Sequence, residues 1–513
     1  MSGDIIVLND VYYSYPRSNV NVLNGINLSV KKGEFLAVMG SNGAGKTTFC
    51  KLLNGIIPHF THGILKGTVL IDNINTIESA VSQLALKIGM VLDDPDAQLF
   101  TSSVFNEAAF GPENILLPPM EIKERVDLAL SAVGLSNFKE RLPSTLSGGE
   151  KQRLSIAAAI TMKGQALVLD EPLCRLDPAG ACDVMAILND LQKKHQITIV
   201  MASHDSEKMA EFADRVCILN NGKIAALDSA KNIFANSALL EENGIQPVKK
   251  IVVRGMQRHP ISKNSTTEYT EFHGEHKIFL QKPPCHSVSS VVSNSSLTIN
   301  NLSYTYPNGT GIKNINFSVM ENDFLAIVGD NGCGKTTLLK NITGLLRPCE
   351  GDIFIRGKNT KDLKVSDISK EVGFVMQNPD TQLFTDSVFK EVSFALKNMR
   401  FSKTEIKKRA EEALNTVGLY DHEAFPHVLC RSDRTKIVIA CILAMGCKII
   451  VFDEADVGND YSGCLKIMNI AKDLHSKGYT IIFVTHNTFL TEEYAHRLIK
   501  MERNGIVCDW RPK

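Results

Sequence analysis

A phosphate-sized loop of small residues occurs twice in this chain, and nothing else in the sequence restricts the fold as strongly. Phe35 to Met39 form a short apolar run that reads as a strand buried on both faces. The run empties directly into Gly40 to Thr47, GSNGAGKT. Gly40, Gly43 and Gly45 let backbone NH groups wrap phosphate oxygens, and Lys46 supplies the charge for the outer phosphates. Thr47 stands at a helix N-terminus, where its hydroxyl can hold Mg²⁺. The pattern returns as GDNGCGKT over Gly329 to Thr336. Lys46 and Lys335 are 289 positions apart (335 less 46), and Asp170 and Asp453 are 283 apart (453 less 170), so the chain is a duplication with small insertions. Although 513 residues would allow about three domains of ordinary size, the repeat favours two larger ones. The expected division is 1–240 and 297–513, joined by a linker at 241–296.

Composition narrows the classes. Lys+Arg and Asp+Glu stand equal at 56 each, which gives no electrostatic argument for nucleic acid. No apolar run approaches the ~18 residues needed to cross a bilayer. The start, MSGDIIVLND, lacks the basic and apolar regions of a signal peptide. Any membrane role is therefore expected to run through partners. Twelve cysteines without a CxxC pair point to reduced thiols in a cytosolic protein. Residues 241–296 are rich in Pro, Ser, Thr and His, as a linker would be. There His273, His276, Cys285 and His286 are too irregularly spaced for a metal site, and seven basic residues against five acidic ones make no polybasic arm.

Several further segments carry chemistry. In Leu146 to Arg153, LSGGEKQR, Ser147 offers a hydroxyl while Gly148 and Gly149 leave NH groups bare ahead of a helical run from Glu150. The segment reads either as an anion cup or as a turn before a helix. Ala166 to Leu169 form a second buried strand ending in Asp170 and Glu171, and Ile197 to Met201 a third, followed by His204. Tyr12, Tyr13 and Tyr15 precede Pro16 in an alternating segment that reads as an edge strand with aromatic packing. Ile122, Val126, Ala129, Leu130 and Val133, and then Ile406, Ala410, Ala413, Leu414 and Val417, recur at helical spacing and read as core faces. Cys333, inside the second loop, reads as occupancy of a permissive position in preference to a redox-sensitive thiol.

Together the two loops, LSGGEKQR, the Asp170-Glu171 pair and His204 resemble the P-loop, signature, Walker B and switch histidine of ABC-type ATPases. The resemblance covers both halves, nearly everything but the linker. It implies an α/β fold of two tandem P-loop NTPase domains, each a mostly parallel sheet core with an antiparallel subdomain and a helical subdomain. It also implies that the halves pair head to tail around ATP and Mg²⁺. Nucleotide would be held by Gly40, Ser41, Asn42, Gly43, Ala44, Gly45, Lys46, Thr47 and Thr48 in the first half. In the second half the matching set is Gly329, Asp330, Asn331, Gly332, Cys333, Gly334, Lys335, Thr336 and Thr337. Tyr15 and Tyr306 occupy the place of the adenine-stacking aromatic, and Ser147, Gly148, Gly149 and Glu150 form the signature that caps the opposite site. Thr47 and Asp170, and Thr336, Gln377 and Asp453, would hold Mg²⁺. Glu171, His204, Gln377, Glu454 and His486 would handle the attacking water and the γ-phosphate, and Asp177 in LDP resembles the D-loop that crosses to the opposite site.

The sequence departs from the family pattern at the first site. Asp93 stands where the resemblance predicts a Gln, which the second half keeps as Gln377. Leu429 to Lys436 read LCRSDRTK, so Cys430 replaces the hydroxyl, Ser432 replaces a glycine, and Arg431 places a long side chain where bare backbone is needed, a guanidinium that could itself hold the γ-phosphate without aligning water. Residues 455–459 lose the Pro-rich D-loop character, although Asp460 remains. The Lys335 site, capped by Ser147, is thus expected to be intact and the Lys46 site degenerate. PDAQLF from Pro95, Phe105-Asn106-Glu107, and PDTQLF from Pro379 resemble the transporter-facing region of energy-coupling ATPases that power vitamin and transition-metal importers. That likeness implies a peripheral protein on the cytoplasmic side of the cell membrane. Its partners would be a transmembrane coupling protein and a substrate-binding membrane component. A soluble twin ATPase acting on ribosomes would show two good signatures and a long charged helical linker, and a DNA-repair ATPase would show heptads or zinc-binding cysteines; the sequence has neither set.

Overall fold

The computed structural model describes residues 3–18, 20–174, 176–248, 295–503 and 505–511. Most of the expected linker lies outside the described residues, together with the His273, His276, Cys285 and His286 group and the seven basic residues weighed with it.

Each half is built on a six-stranded sheet. In the first half the order is Lys223–Ser229, Arg215–Asn220, Phe35–Met39, Thr198–Ala202, Ala166–Asp170, Ile88–Val91. All neighbours are parallel except the first pair. Because successive side chains point to opposite faces, Phe35, Ala37 and Met39 enter one apolar core and Leu36 and Val38 another. A strand covered on both faces has to be apolar throughout, which is why it reads as an unbroken run. The second half repeats the plan, with Phe324–Val328 beside Thr480–Val484 and Ile449–Asp453 next in order. Phe324 and Ala326 face one core, and Leu325 and Ile327 the other.

A four-stranded antiparallel sheet flanks each core, ordered Leu23–Lys31, Asp4–Ser14, Ile64–Ile71, Ile74–Asn75 in the first half. Tyr12 and Tyr13 therefore lie in an interior strand, where an edge strand was expected: Tyr13 is paired with Leu23 on one side and Leu65 on the other and is fully buried. The helical subdomains hold Val104–Asn114, Pro119–Ala132 and Gly148–Ile160, then Val388–Asn398, Lys403–Thr416 and Arg431–Met445. Their apolar faces are the ones the spacing predicts, with Ile122, Val126, Ala129 and Leu130 buried, and likewise Ile406, Ala410, Ala413 and Leu414. The first core also takes in Leu240 and Ile245, beyond the last strand.

The sheet order decides where the chemistry sits. Phe35–Met39, Thr198–Ala202 and Ala166–Asp170 are adjacent and parallel, so the loops that leave their C-terminal ends converge on one rim. Those loops carry Gly40–Thr47, His204 and Glu171.

Candidate functional site

Gly40, Gly43 and Gly45 have φ of 146°, 79° and 104°, and Gly329, Gly332 and Gly334 of 154°, 76° and 104°. Side chains rarely adopt such values. At Gly40 a Cβ would also meet the Leu219 carbonyl oxygen at 2.1 Å. The loops curl back far enough for Lys46 Nζ to donate to the carbonyls of Gly40 (2.9 Å) and Ser41 (3.2 Å), and for Lys335 Nζ to donate to those of Gly329 (2.7 Å) and Asp330 (3.1 Å). Both ammonium groups are nearly buried, directly below the cradle. Tyr15 Oη lies 2.9 Å from Thr48 Oγ1 and Tyr306 Oη 3.4 Å from Thr337 Oγ1, so each ring is fastened to the helix that follows its loop. Cys333 is buried, and that burial outweighs the opposing charge of Lys335, so its thiol pKa is raised.

The carboxylates fit a magnesium ion carried by a nucleotide. Both oxygens of Asp170 are buried without a formed hydrogen bond, although the Thr47 hydroxyl lies near enough to offset part of the burial. Asp453 Oδ1 accepts from Thr336 Oγ1 at 3.1 Å. Burial pushes both acids up to about 6. A buried carboxylate beside a hydroxyl is the donor set Mg²⁺ takes when phosphates and water complete its shell. Among the described residues no cluster of three or more His, Cys, Asp or Glu could hold a metal ion.

The two sites differ around the second acid. Glu171 and Glu454 share a φ of 47°, a strained value held at the same point of both halves. Glu454 is clamped: Gln377 Nε2 donates to its Oε2 at 2.9 Å, and His486 Nε2 stands 3.1 Å from its Oε1. Burial alone would raise its pKa, but the His486 hydrogen bond and the charges of His486 and Lys335 outweigh it, so the pKa falls below the usual glutamate value. Around Glu171 the balance reverses. Burial raises its pKa, Lys46 and the His204 NH offset part of that, and Asp93 pushes it further up as a like charge. His204 is pushed down to about 3, mainly by burial and then by Lys46, and its Nε2 lies 3.3 Å from Lys46 Nζ, 3.0 Å from Asn42 Oδ1 and 3.2 Å from Glu171 Oε1.

Contacts between the halves run through the aspartates of LDP and its counterpart. Asp177 Oδ1 caps the helix Pro178–His195 by accepting from Gly180 N at 2.8 Å, while its Oδ2 accepts from Asn331 N in the other half's P-loop at 3.1 Å. Asp460 does the same, accepting from Gly463 N at 2.6 Å and, across the halves, from Asn42 N at 2.6 Å. Asn42 Nδ2 also donates to the Gly458 carbonyl at 3.2 Å. The halves therefore meet head to tail, and the unusual 455–459 sequence keeps the crossing contact.

The signature segments diverge as their sequences do. Ser147 closes a capping box: its Oγ accepts from Glu150 N (3.3 Å) and its NH donates to Glu150 Oε2 (2.7 Å). With the hydroxyl already accepting, its proton is left to donate outward. Cys430 caps no backbone NH, and its Sγ instead lies 3.2 Å from both Ser432 Oγ and Asp433 Oδ2. Arg431 Nη2 donates to the Gln377 carbonyl of its own half at 2.7 Å.

PDAQLF and PDTQLF acquire a physical explanation. Gln98 pins the end of the strand Ile88–Val91 by donating to the Met90 carbonyl and accepting from Leu92 N, both at 3.1 Å, and Gln382 repeats this with Phe374 and Met376, both at 2.9 Å. Buried Glu107 then accepts from the NH groups of Phe100 and Thr101, and Glu391 from those of Phe384 and Thr385. With backbones held so firmly, the rings project outward. Phe100 is 67% exposed and packs edge-on against Phe110, and Phe384 is 62% exposed against Phe394, with centroids 4.9 and 4.7 Å apart. Among the described residues no helix is long and apolar enough to cross a membrane.

Asp456 escaped the sequence reading, although the first half has Leu173 in its place, and that contrast was the available signal. Its Oδ2 accepts from Thr485 Oγ1 at 2.7 Å, and Thr485 Oγ1 in turn accepts from Asn487 N at 2.9 Å, which fixes the turn holding His486. Burial pushes Asp456 from 3.8 up to about 6, partly offset by the Thr485 hydrogen bond. Between those values the folded chain binds a proton that the unfolded chain releases. Its contribution to stability is therefore full below about pH 4 and is lost as the pH rises through 6. Asp456→Asn should make unfolding free energy less pH-sensitive, with a gain over the parent of about 1 to 3 kcal/mol at pH 8 relative to pH 4. Denaturant titrations at the two pH values measure it, and parallel curves would refute the assignment.

A family model described as ABC transporter matches residues 23–174 and 312–457. A protein of Caldanaerobacter subterraneus subsp. tengcongensis, named as an ABC transporter ATP-binding protein, is 35% identical over 99% of this chain and 91% of its own length. One of Methanosarcina mazei with the same description is 34% identical over 98% of this chain and 88% of its own. Among solved structures, cbiO1 of Clostridium perfringens, described as part of the ABC transporter complex cbiONQ, covers 47% of this chain and 94% of its own at 34% identity and a TM-score of 0.43.

Proposed function

Because this chain belongs to the ABC transporter family, as a duplicated ATPase of that family, we propose that it hydrolyses MgATP to power a membrane importer of a small nutrient, a vitamin or a metal ion. It would act as a peripheral subunit on the cytoplasmic side. The observation that carries this reading is the matched pair of exposed aromatic clusters, Phe100–Phe110 and Phe384–Phe394, each held out by a buried glutamate directly after the Gln98 or Gln382 pin. Two equivalent apolar patches on opposite halves suit a membrane partner that presents two similar apolar segments. Tagged full-length chain expressed with candidate membrane subunits should co-purify with them, and Phe100→Ser with Phe384→Ser should release it without lowering its ATP affinity. Sedimentation with ribosomes, or a soluble chain despite every candidate subunit, would sink the reading.

The hydrolysing site in this reading joins Lys335, Thr336, Asp453, Gln377, Glu454 and His486 to the signature Ser147, Gly148, Gly149 and Glu150. Bound Mg²⁺ would supply charge neutralisation at the β- and γ-phosphate oxygens. The Glu454 carboxylate accepts a hydrogen bond from the attacking water and orients it. The water oxygen bonds to the γ-phosphorus as its bond to the bridging oxygen breaks, ADP leaving with that oxygen and the water's proton passing to the released phosphate. The Ser147 hydroxyl would donate to the γ-phosphoryl oxygens, and His486, 3.1 Å from Glu454 Oε1, would hold that carboxylate toward the water. Domain limits close to 1–240 and 297–513 go with this assignment, with the first core running on to Ile245 and the second half's first strand beginning at Ser295.

Adenine would stack on Tyr15 at one site and Tyr306 at the other, a contact worth about 0.5 to 1.5 kcal/mol beyond burial. Tyr15→Ala and Tyr306→Ala should each weaken nucleotide binding several-fold at one site only, as read by titration with a fluorescent ATP analogue. Unchanged affinity in both variants would leave the rings a purely structural role.

A further inference from the structure

Arg431 occupies the first position of the helix Arg431–Met445, where a cation faces the positive end of the helix dipole and is disfavoured. Helix stability therefore does not account for it, and its contacts lead elsewhere. Its Nη2 donates to the Gln377 carbonyl at 2.7 Å, and the Gln377 side chain donates to Glu454 at 2.9 Å. On its other side the guanidinium lies against Gly458. A Cβ at that residue (φ 75°) would stand 3.2 Å from Arg431 Cζ, so glycine leaves the passage open. The Gly458 carbonyl in turn accepts from Asn42 Nδ2 in the P-loop of the other half. These contacts form one continuous path: Asn42 in the Lys46 loop, Gly458, Arg431, Gln377, Glu454. At the corresponding position the first half has Gly148, which has no side chain to make such a bond.

Building on the reading of Glu454 as the group that orients the attacking water, we propose that Arg431 is a positioning residue coupling the two ATP sites. Nucleotide at the Lys46 loop sets the Asn42–Gly458 contact, and through Arg431 this sets the backbone of Gln377 and hence its grip on Glu454. The altered signature is then a relay to the intact site as well as a weak cap on its own.

A double-mutant cycle on the full-length chain tests this. Steady-state MgATP hydrolysis is measured for the parent, Lys46→Ala, Arg431→Ala and the double variant, with Arg431→Lys as a second probe that keeps charge but loses the planar fork. Glu454→Gln serves as the control for the site itself. Lys46→Ala should change kcat by about 3- to 10-fold in the parent, and by at least about three-fold less once Arg431 is replaced. Arg431→Lys should give an intermediate coupling. Equal effects of Lys46→Ala in both backgrounds, or no effect in the parent, would overturn the relay. Full turnover surviving Glu454→Gln would remove the underlying site assignment instead.

Discussion

Glu454→Gln should lower steady-state ATP hydrolysis by about 10²- to 10⁴-fold, while Glu171→Gln should leave most of it. Both acids sit at the same strained φ beside a nearly buried lysine, so position does not separate them. Their partners do. Gln377 and His486 hold both oxygens of Glu454, which fixes the carboxylate in one orientation and keeps it ionised. Glu171 has Asp93 where Gln377 stands, so a donor is replaced by a repelling charge and the acid is pushed toward its protonated form. A glutamine at 454 keeps the shape and loses the charge that polarises water, so nucleotide binding should survive. Single-turnover assays with labelled ATP, run beside a binding measurement, separate the two effects. Equal losses in the two variants, or the reverse order, would show that the asymmetry is not functional.

Rebuilding the second signature should transfer activity to the other site. In the Glu454→Gln background, Cys430→Ser, Arg431→Gly and Ser432→Gly, combined with Asp93→Gln, should raise hydrolysis at least about ten-fold. Ser147 in the intact signature has its hydroxyl proton available, whereas Cys430 sits against Asp433 and Ser432 and Arg431 Nη2 donates to the Gln377 carbonyl. Charge spreading over the γ-phosphoryl oxygens must meet donors already in place. Losing two charge-assisted hydrogen bonds of about 1.5 to 3 kcal/mol each slows a step by roughly a hundred- to ten-thousand-fold, so even partial restoration is measurable. No gain over Glu454→Gln alone would mean that the Lys46 site fails for a reason outside its cap and Asp93.

Much of this was legible in the residues, and the reason is locality. The glycines of GSNGAGKT announce positive φ by themselves, because only the missing Cβ permits it. The faces led by Ile122 and Ile406 follow from helical spacing, and the strand Phe35–Met39 from an apolar run, since each depends on neighbours a few residues away. The interior position of Tyr13 was not legible, because alternation does not say how many strands flank a strand. Nor was the destination of Arg431, whose side chain could have pointed at a phosphate or at Gln377 with the same sequence around it. Sequence by itself determined the duplication, the nucleotide loops, the helical faces and the altered signature. Tertiary structure decided which groups meet: Asp460 reaches Asn42 across 418 residues, and Gln377 reaches Glu454 across 77. A hydrogen bond acts over about 3 Å, so the Gln377–Glu454 pair exists only once the strands Val372–Val375 and Ile449–Asp453 lie side by side in one sheet, and the Asp460–Asn42 pair only once the halves have closed on each other.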